Sequence, residues 1–161
     1  MASTYTPIAT YTVSGTSTST VSFSSFSGYT DIRAVLNLKQ SGSTYNFRVR
    51  VNSDTGSNYS LTSMNGDGSS AASSRQTSQT GWIYPDLSTD WSLLTFDFQN
   101  YSSTSVYKTA LARLSAVARG YSWAGVLLWR STSAISTIAF DVNSEYFLAG
   151  STFTLYGIKA A

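Results

Sequence analysis

The tetrapeptide Asp54-Thr55-Gly56-Ser57 is the one string in this sequence that matches a catalytic signature. In aspartic proteases, two such Asp carboxylates share a proton on loops with apolar flanks. Here the polar residues Asn52 and Ser53 precede the string, and a chain of 161 residues would have to dimerise to supply the second carboxylate. A β-turn with Asp in its first position and Gly in a left-handed position explains the string without chemistry, and we favour the turn.

A second kind of chemistry, calcium binding, would use the side-chain oxygens of Asp54, Asn58 and Asp67. Their spacing fits neither an EF-hand nor a repeat, and the Asn-Gly and Asp-Gly pairs of residues 65–68 are typical of hairpin turns. Paired carboxylates for glycoside cleavage would require two of the eight acidic residues to meet in a groove, and no spacing favours this. We therefore expect no metal, no cofactor and no catalytic residue.

The tryptophans allow two interpretations. On a surface, these side chains would make a platform for stacking sugars, whereas inside the protein they would fill a core. Tryptophan in alternating strands usually packs inside, so we favour the core. The residues concerned are Trp82, Trp91, Trp123 and Trp129.

Histidine and cysteine are both absent from the sequence. Without cysteine there are no disulfides, thiolate metal sites or Cys nucleophiles. Without histidine, the usual general base, zinc ligand and pH switch are missing. Most hydrolase constellations are thereby excluded, and we expect a protein that is not an enzyme.

The composition is polar with few charges. Charged residues make up 11% of the chain, which contains 31 serines and 21 threonines. The net charge is +2 and the basic residues are scattered, so we expect no binding to nucleic acid. Residues 1–7 have neither a basic leader nor an apolar core, and no apolar run approaches the ~18 residues of a membrane span. We therefore expect no signal peptide and no membrane association.

Period-two hydrophobicity runs along the whole chain and predicts an all-β fold. Strands are predicted at 8–14 and 20–26 as a hairpin, and at 32–39, 82–84, 93–98, 123–129, 135–142 and 153–158. The segment 65–80 is predicted to be a long polar loop. The segment 106–118 fits a strand, with Tyr107, Leu111 and Arg113 on one side, or a helix with an apolar stripe, and we favour a strand because its neighbours are strands. The helical stripe would consist of Ala110, Leu111, Leu114, Val117 and Ala118.

The clearest predicted strand is the segment 45–52. Apolar side chains point to one side, and polar ones point to the other. The apolar set is Tyr45, Phe47, Val49 and Val51, and the polar set is Asn46, Arg48, Arg50 and Asn52. Two interpretations of Arg48 and Arg50 stay open: they are solvated, or they contact the carboxylates of a partner. These two arginines are the candidate partner-contact residues.

One domain accounts for the pattern. No repeat, linker or composition break divides residues 1–161, and the predicted strands recur roughly every 8–15 residues. The sequence therefore predicts a single all-β domain, an antiparallel β-sandwich that is jelly-roll-like.

Four segments carry a resemblance to a known family: YTDI at 29–32, RVRVNSDTGSNYS at 48–60, LWRSTSAI at 128–135 and FLAGSTFTLYGI at 147–158. Together they resemble small jelly-roll or β-sandwich virion structural proteins of tailed bacteriophages. The resemblance runs over nearly the whole chain, and its motifs are mostly turn and core positions. It implies a capsid decoration (cement) protein or a tail-fibre-type domain, and it brings no catalytic residues.

The resemblance and the composition together predict the role. We expect a capsid decoration protein that oligomerises as a dimer or trimer and binds the major capsid protein of the virion, stabilising its lattice. Many modest interfaces become strong when they are repeated over a symmetric shell. The alternative is a receptor- or carbohydrate-binding domain of a tail fibre or tail tip. The absence of a fibrous stalk from the sequence favours decoration.

Overall fold

A computed structural model describes residues 4–15, 18–42, 47–84, 87, 89–116 and 120–159. Within these ranges the chain forms twelve strands and no helix. The strands are β1 (Tyr5–Thr12), β2 (Thr20–Ser24), β3 (Asp31–Leu38), β4 (Phe47–Val51), β5 (Tyr59–Gly66), β6 (Ala71–Gln79), β7 (Trp82–Tyr84), β8 (Ser92–Gln99), β9 (Lys108–Ala116), β10 (Tyr121–Trp129), β11 (Thr137–Val142) and β12 (Thr152–Ile158).

The strands form two antiparallel sheets. The larger has eight strands in the order β1-β12-β3-β8-β9-β10-β5-β6, and the smaller has four in the order β2-β11-β4-β7. The sets β1-β12-β3-β8 and β2-β11-β4-β7 have the strand order of a jelly roll, in which the chain passes back and forth between two facing sheets. The other four strands, β9-β10-β5-β6, widen the larger sheet. The predicted jelly-roll-like β-sandwich is confirmed.

The core lies between the sheets and follows the predicted alternation. On β3, every second side chain is fully buried, from Ile32 to Leu38. Phenylalanine rings from both sheets fill the centre: Phe47 and Phe140 of the smaller sheet lie 6.4 and 5.8 Å from the Phe96 ring of the larger. Burial of this apolar surface is the main source of stability in such a sandwich.

The predicted hairpin of residues 8–14 and 20–26 is wrong. β1 pairs with β12 in the larger sheet, whereas β2 pairs with β11 in the smaller one. The intervening segment crosses between the sheets and is held by the C-terminal part of the chain. The Val13 N–H donates to the Ser151 carbonyl at 2.9 Å, and the Phe147 N–H donates to the Thr18 carbonyl at 2.8 Å. The described residues between β1 and β2 therefore lie on a crossover between the sheets and not in a hairpin turn, while residues 16 and 17 lie outside the described residues.

The predicted loop at residues 65–80 is also wrong. β5 and β6 form a hairpin around the turn 67–70, in which the Asp67 side chain accepts hydrogen bonds from the Ser69 and Ser70 N–H groups. β6 is the last strand of the sheet, and most of its side chains are exposed on both faces. A strand with water on both faces needs no apolar alternation, so the period-two signal disappears.

The strand interpretation of residues 106–118 is confirmed for β9. Alternate side chains from Lys108 to Ala116 are buried, and Leu111 is 44% exposed, which a helical stripe would have buried. Two parts of the predictions lie outside the described residues: Tyr45 and Asn46 of the clearest strand, and residues 117 and 118 at the end of this segment.

Candidate interaction sites

Asp54 lies in the turn between β4 and β5 and acts there as a hydrogen-bond acceptor. Its carboxylate accepts from the Gly56 N–H at 2.7 Å, the Asn58 side-chain amide at 2.9 Å and the Trp129 indole N–H at 2.6 Å. Burial by itself would raise the pKa of Asp54, but the three hydrogen bonds outweigh it and hold the pKa below its usual value. This geometry fits a turn, with the carboxylate fastening it to β10. The predicted left-handed position of Gly56 is wrong, because the left-handed residues of this connection are Asn52 and Ser53, with φ of 52° and 53°.

Tyr59 fastens the same turn from inside the core. The side chain is fully buried, and its hydroxyl lies 3.1 Å from the carbonyl oxygens of Val51 and Asp54 and 3.2 Å from the Val51 N–H. Burial raises the pKa of Tyr59 to about 12. The hydroxyl therefore stays protonated and supplies both a donor and an acceptor to the β4–β5 connection.

Replacing Tyr59 with phenylalanine should lower the free energy of unfolding by about 1–2 kcal/mol, because the buried Val51 N–H loses a partner. Denaturant titration at neutral pH measures this loss. The pKa of Tyr59 rises on folding. The contribution of its hydroxyl to the free energy of unfolding is therefore complete below pH 10.0 and is lost as the pH rises toward about 12. The difference between the two proteins should shrink over this range, and a difference independent of pH would contradict the assignment.

The tryptophans do not share a surface. Trp82, Trp123 and Trp129 are at most 3% exposed, so core packing is confirmed for these three. The indole N–H of Trp82 donates to the Leu128 carbonyl at 3.1 Å. Trp91 is 39% exposed, and the Lys39 ammonium lies 4.5 Å from its ring centroid. A sugar platform of four tryptophans is therefore wrong.

Arg48 and Arg50 lie on the outer face of the smaller sheet and share one carboxylate. Asp141 on β11 binds Arg48 Nη2 at 2.6 Å and Arg50 Nη1 at 3.2 Å, while Arg50 Nε donates to the Thr80 carbonyl at 3.0 Å. Neither predicted interpretation included this intramolecular acceptor. The cluster keeps one positive charge in excess beside an open cavity of about 400 Å³. Gly81 makes room, because a Cβ there would lie 2.6 Å from the Arg48 stem.

Lys108 is a buried cation that the sequence did not distinguish from the exposed ones. The side chain is 1% exposed, and its ammonium donates to the Val106 carbonyl at 2.7 Å and the Thr132 carbonyl at 3.1 Å. Burial lowers the pKa of Lys108. The Val106 carbonyl lies just before β9, and the Thr132 carbonyl lies in the 130–136 segment. Lys108 therefore has a structural role, which is to join the start of β9 to that segment.

The outer face of the larger sheet, turned away from the smaller sheet, carries the main exposed apolar surface. On β9 and β10, Leu111 and Val126 are cross-strand partners that are 44% and 51% exposed. Met64 on β5 and Leu93 on β8 lie on the same face and are 67% and 50% exposed. Exposed apolar side chains gathered on one face, with polar neighbours around them, are typical of an interaction site.

Small side chains make this face concave. Three adjoining cavities of about 340, 380 and 560 Å³ open onto it, and Ala124 lines all three. Ser122 and Ser73 each line two of these cavities, so the floor is formed by short side chains. The surface formed by Met64, Leu93, Leu111, Arg113, Ala124 and Val126 is called the Ala124 depression below.

Arg113 gives the Ala124 depression its charge. It is the cross-strand partner of Ala124, and it forms no ion pair within the part of the chain that the structure describes. The nearby Arg33 is neutralised by Asp97 at 3.2 Å. The sequence placed Leu111 and Arg113 on one side of a strand, but it gave no sign that β5 and β10 would complete a surface around them.

Across the described ranges, no three acidic side chains come together as a metal ion would require, and Asp54 and Asp67 lie in different turns. The described residues likewise contain no helix that is long and apolar enough to cross a membrane.

The fold and surfaces define a class of protein: a jelly-roll β-sandwich with one widened sheet and an apolar depression on its outer face. No family model matches the chain, and no curated protein is significantly similar to it.

Proposed function

We propose that this chain is a non-catalytic structural protein of a tailed-phage virion that binds another structural protein through the Ala124 depression. The observation that supports binding to a partner is the depression itself, with its exposed apolar walls at Leu111 and Val126. The virion assignment rests on the resemblance of segments such as 48–60 and 147–158 given above. Jelly rolls are used as viral capsid domains and also as lectins and cupins, so the fold agrees with the proposal but does not select it.

Within the particle, capsid decoration is the proposed role, and the major capsid protein is the proposed partner. The depression is open and shallow, which suits a modest contact with a flat neighbour. Such contacts hold firmly when they are repeated across a symmetric shell. Arg113 at the centre suits a partner surface that presents a carboxylate between apolar side chains.

The double variant Leu111→Thr/Val126→Thr should bind particles at least about tenfold more weakly than the wild type, because both apolar walls are lost. Threonine keeps the β propensity of the strands. The measurement is co-sedimentation with purified particles of the encoding phage from which the protein has been removed. Val35→Thr is the matched control, since Val35 lies on the same face beside β12. Binding by the double variant as tight as that of the control would contradict the proposed surface.

The copy number in purified particles tests decoration separately. Quantitative mass spectrometry should find the chain in numbers comparable to the major capsid protein. A number comparable to that of tail proteins would instead favour the tail alternative. Absence of the chain from the particle would overturn the virion assignment as a whole.

One observation supports the second candidate, a receptor- or carbohydrate-binding domain of a tail tip. Trp91 is 39% exposed with Lys39 over its ring, which is a combination that can stack on a sugar and bond to its hydroxyls. Retention of the isolated chain on immobilised host glycans, lost in Trp91→Ala, would favour this candidate over decoration.

A further inference from the structure

The free edges of the two sheets are unequal. β1 carries Pro7 and a bulge between Pro7 and Ala9, and the two edge strands of the smaller sheet, β2 and β7, have five and three residues. Proline, bulges and short length are the usual protections of an edge against pairing. β6, by contrast, has no proline, no lysine and one charge, at Arg75, and the register shift in its pairing with β5 lies at its end, between Gln76 and Gln79. It is the long unprotected edge among the described strands.

The free backbone groups of β6 can be assigned from the hairpin. The Asp67 N–H donates to the Ser70 carbonyl at 3.2 Å, so this pair is hydrogen-bonded, and the bonded pairs then alternate along the strands. Ala72, Ser74 and Gln76 therefore bond to β5. The outward N–H and C=O groups belong to the alternate residues Ala71, Ser73, Arg75 and Thr77.

We propose that β6 pairs antiparallel with β6 of a second copy of this chain, around a two-fold axis that passes beside Ser74. The pairing continues the eight-stranded sheet into a single sheet of two copies. This inference rests on the proposed function, because the dimer would be the oligomeric unit in which the structural protein joins an assembly. Its tests need the isolated chain alone, so they can fail while particle binding through the Ala124 depression succeeds.

The register argues for a second copy as the occupant. With Ser74 on the axis, Ser73 lies opposite Arg75, Ala72 opposite Gln76, and Ala71 opposite Thr77. Each long or branched side chain thus faces a short one, and no charge lies directly opposite its like. The paired span is 71–77, which ends at the 67–70 turn on one side and at Ser78, with its left-handed φ of 55°, on the other. A two-fold contact also closes on itself, and the edges that remain free, β1, β2 and β7, are the protected ones.

The same register predicts how the dimer responds to charge. The two Arg75 side chains lie on a diagonal of the same face, about 7–8 Å apart at their backbones. Their repulsion weakens the dimer and is screened by salt. A short edge contact buries less than the roughly 1,200 Å² of a standard interface, so we expect a weak dimer that strengthens as salt is raised.

A cysteine placed on the axis tests the register directly, and the chain has no other cysteine. Residue 74 and its symmetry mate form a non-hydrogen-bonded pair with Cα atoms about 4.5 Å apart, which a disulfide can bridge. Ser74→Cys should form a covalent dimer under mild oxidation, as seen on non-reducing gels. Ala72→Cys is the matched control and should remain monomeric, since Gln76 lies opposite it. Equal cross-linking of both variants, or none in either, would overturn the proposal.

A second variant tests pairing of the edge itself. Ser73→Pro removes an outward N–H and leaves the hydrogen bonds to β5 in place, whereas Ser73→Ala keeps both. Sedimentation velocity at high protein concentration should show loss of the dimer for Ser73→Pro and its retention for Ser73→Ala. Mixing the wild type with Arg75→Glu should raise the dimer fraction above that of either protein alone. A dimer unaffected by these changes uses another surface, and the proposal then fails.

Discussion

Replacing Phe140 with alanine is expected to lower the free energy of unfolding by about 3–5 kcal/mol. Phe140 is fully buried on β11. Its ring centroid lies 6.3 Å from those of Phe23 and Phe47, 5.8 Å from that of Phe96 and 5.9 Å from that of Phe153. Because Phe96 and Phe153 belong to the opposite sheet, the substitution leaves a cavity between the sheets that the fixed strand pairing does not allow to close.

Equilibrium unfolding in denaturant measures this loss. Leu111→Ala is the control, because Leu111 is 44% exposed on the outer face and its truncation should change the free energy by no more than about 0.5 kcal/mol. Equal losses in the two variants would show that Phe140 does not bridge the sheets as described.

Replacing Asp54 with alanine is expected to lower the free energy of unfolding by about 2–3 kcal/mol at neutral pH. The substitution leaves three donors without their acceptor, including the indole N–H of the buried Trp129. Asp54→Asn keeps one acceptor oxygen and should lose less. Any loss of a hydrolytic activity in these variants beyond the loss of folded protein would revive the catalytic interpretation of residues 54–57.

The effect of Asp54 should depend on pH. Its pKa is depressed in the folded protein relative to the usual value of 3.8, so the unfolded chain takes up the proton first as the pH falls. The contribution of the Asp54 carboxylate to the free energy of unfolding is complete above pH 3.8, and it is lost as the pH falls through the pKa that Asp54 has in the folded protein. The difference in unfolding free energy between wild type and Asp54→Ala should therefore narrow below pH 3.8. A constant difference down to acid unfolding would mean that the carboxylate charge contributes nothing.

The strands that bury one face were predictable from the sequence, because burial imposes the two-residue period. β3 and β8 show this most clearly, with Leu36 and Leu94 paired in the core. The failures occurred where that physical cause is absent. β6 buries neither face and so has no apolar alternation. The crossover before β2 has the same small polar residues as a turn, and the sheet that a strand joins depends on partners far along the chain.

The candidate sites were less predictable, because they depend on pairing between distant segments. Arg48 and Arg50 were placed on the correct face of their strand, but their acceptor Asp141 lies on a strand that only the fold brings beside β4. The Ala124 depression requires β5, β8, β9 and β10 to be in register. Local spacing carries no information about that register.

The pairing of β1 with β12 affects how the protein can fold during its synthesis on the ribosome. Tyr11 lies beside Phe153, so β1 has no neighbour in the sheet until β12 has been synthesised. β3 likewise lacks one of its two neighbours until β12 has emerged. Topologies dominated by such distant pairings fold slowly. Nascent chains should therefore need protection from aggregation until β12 has been synthesised.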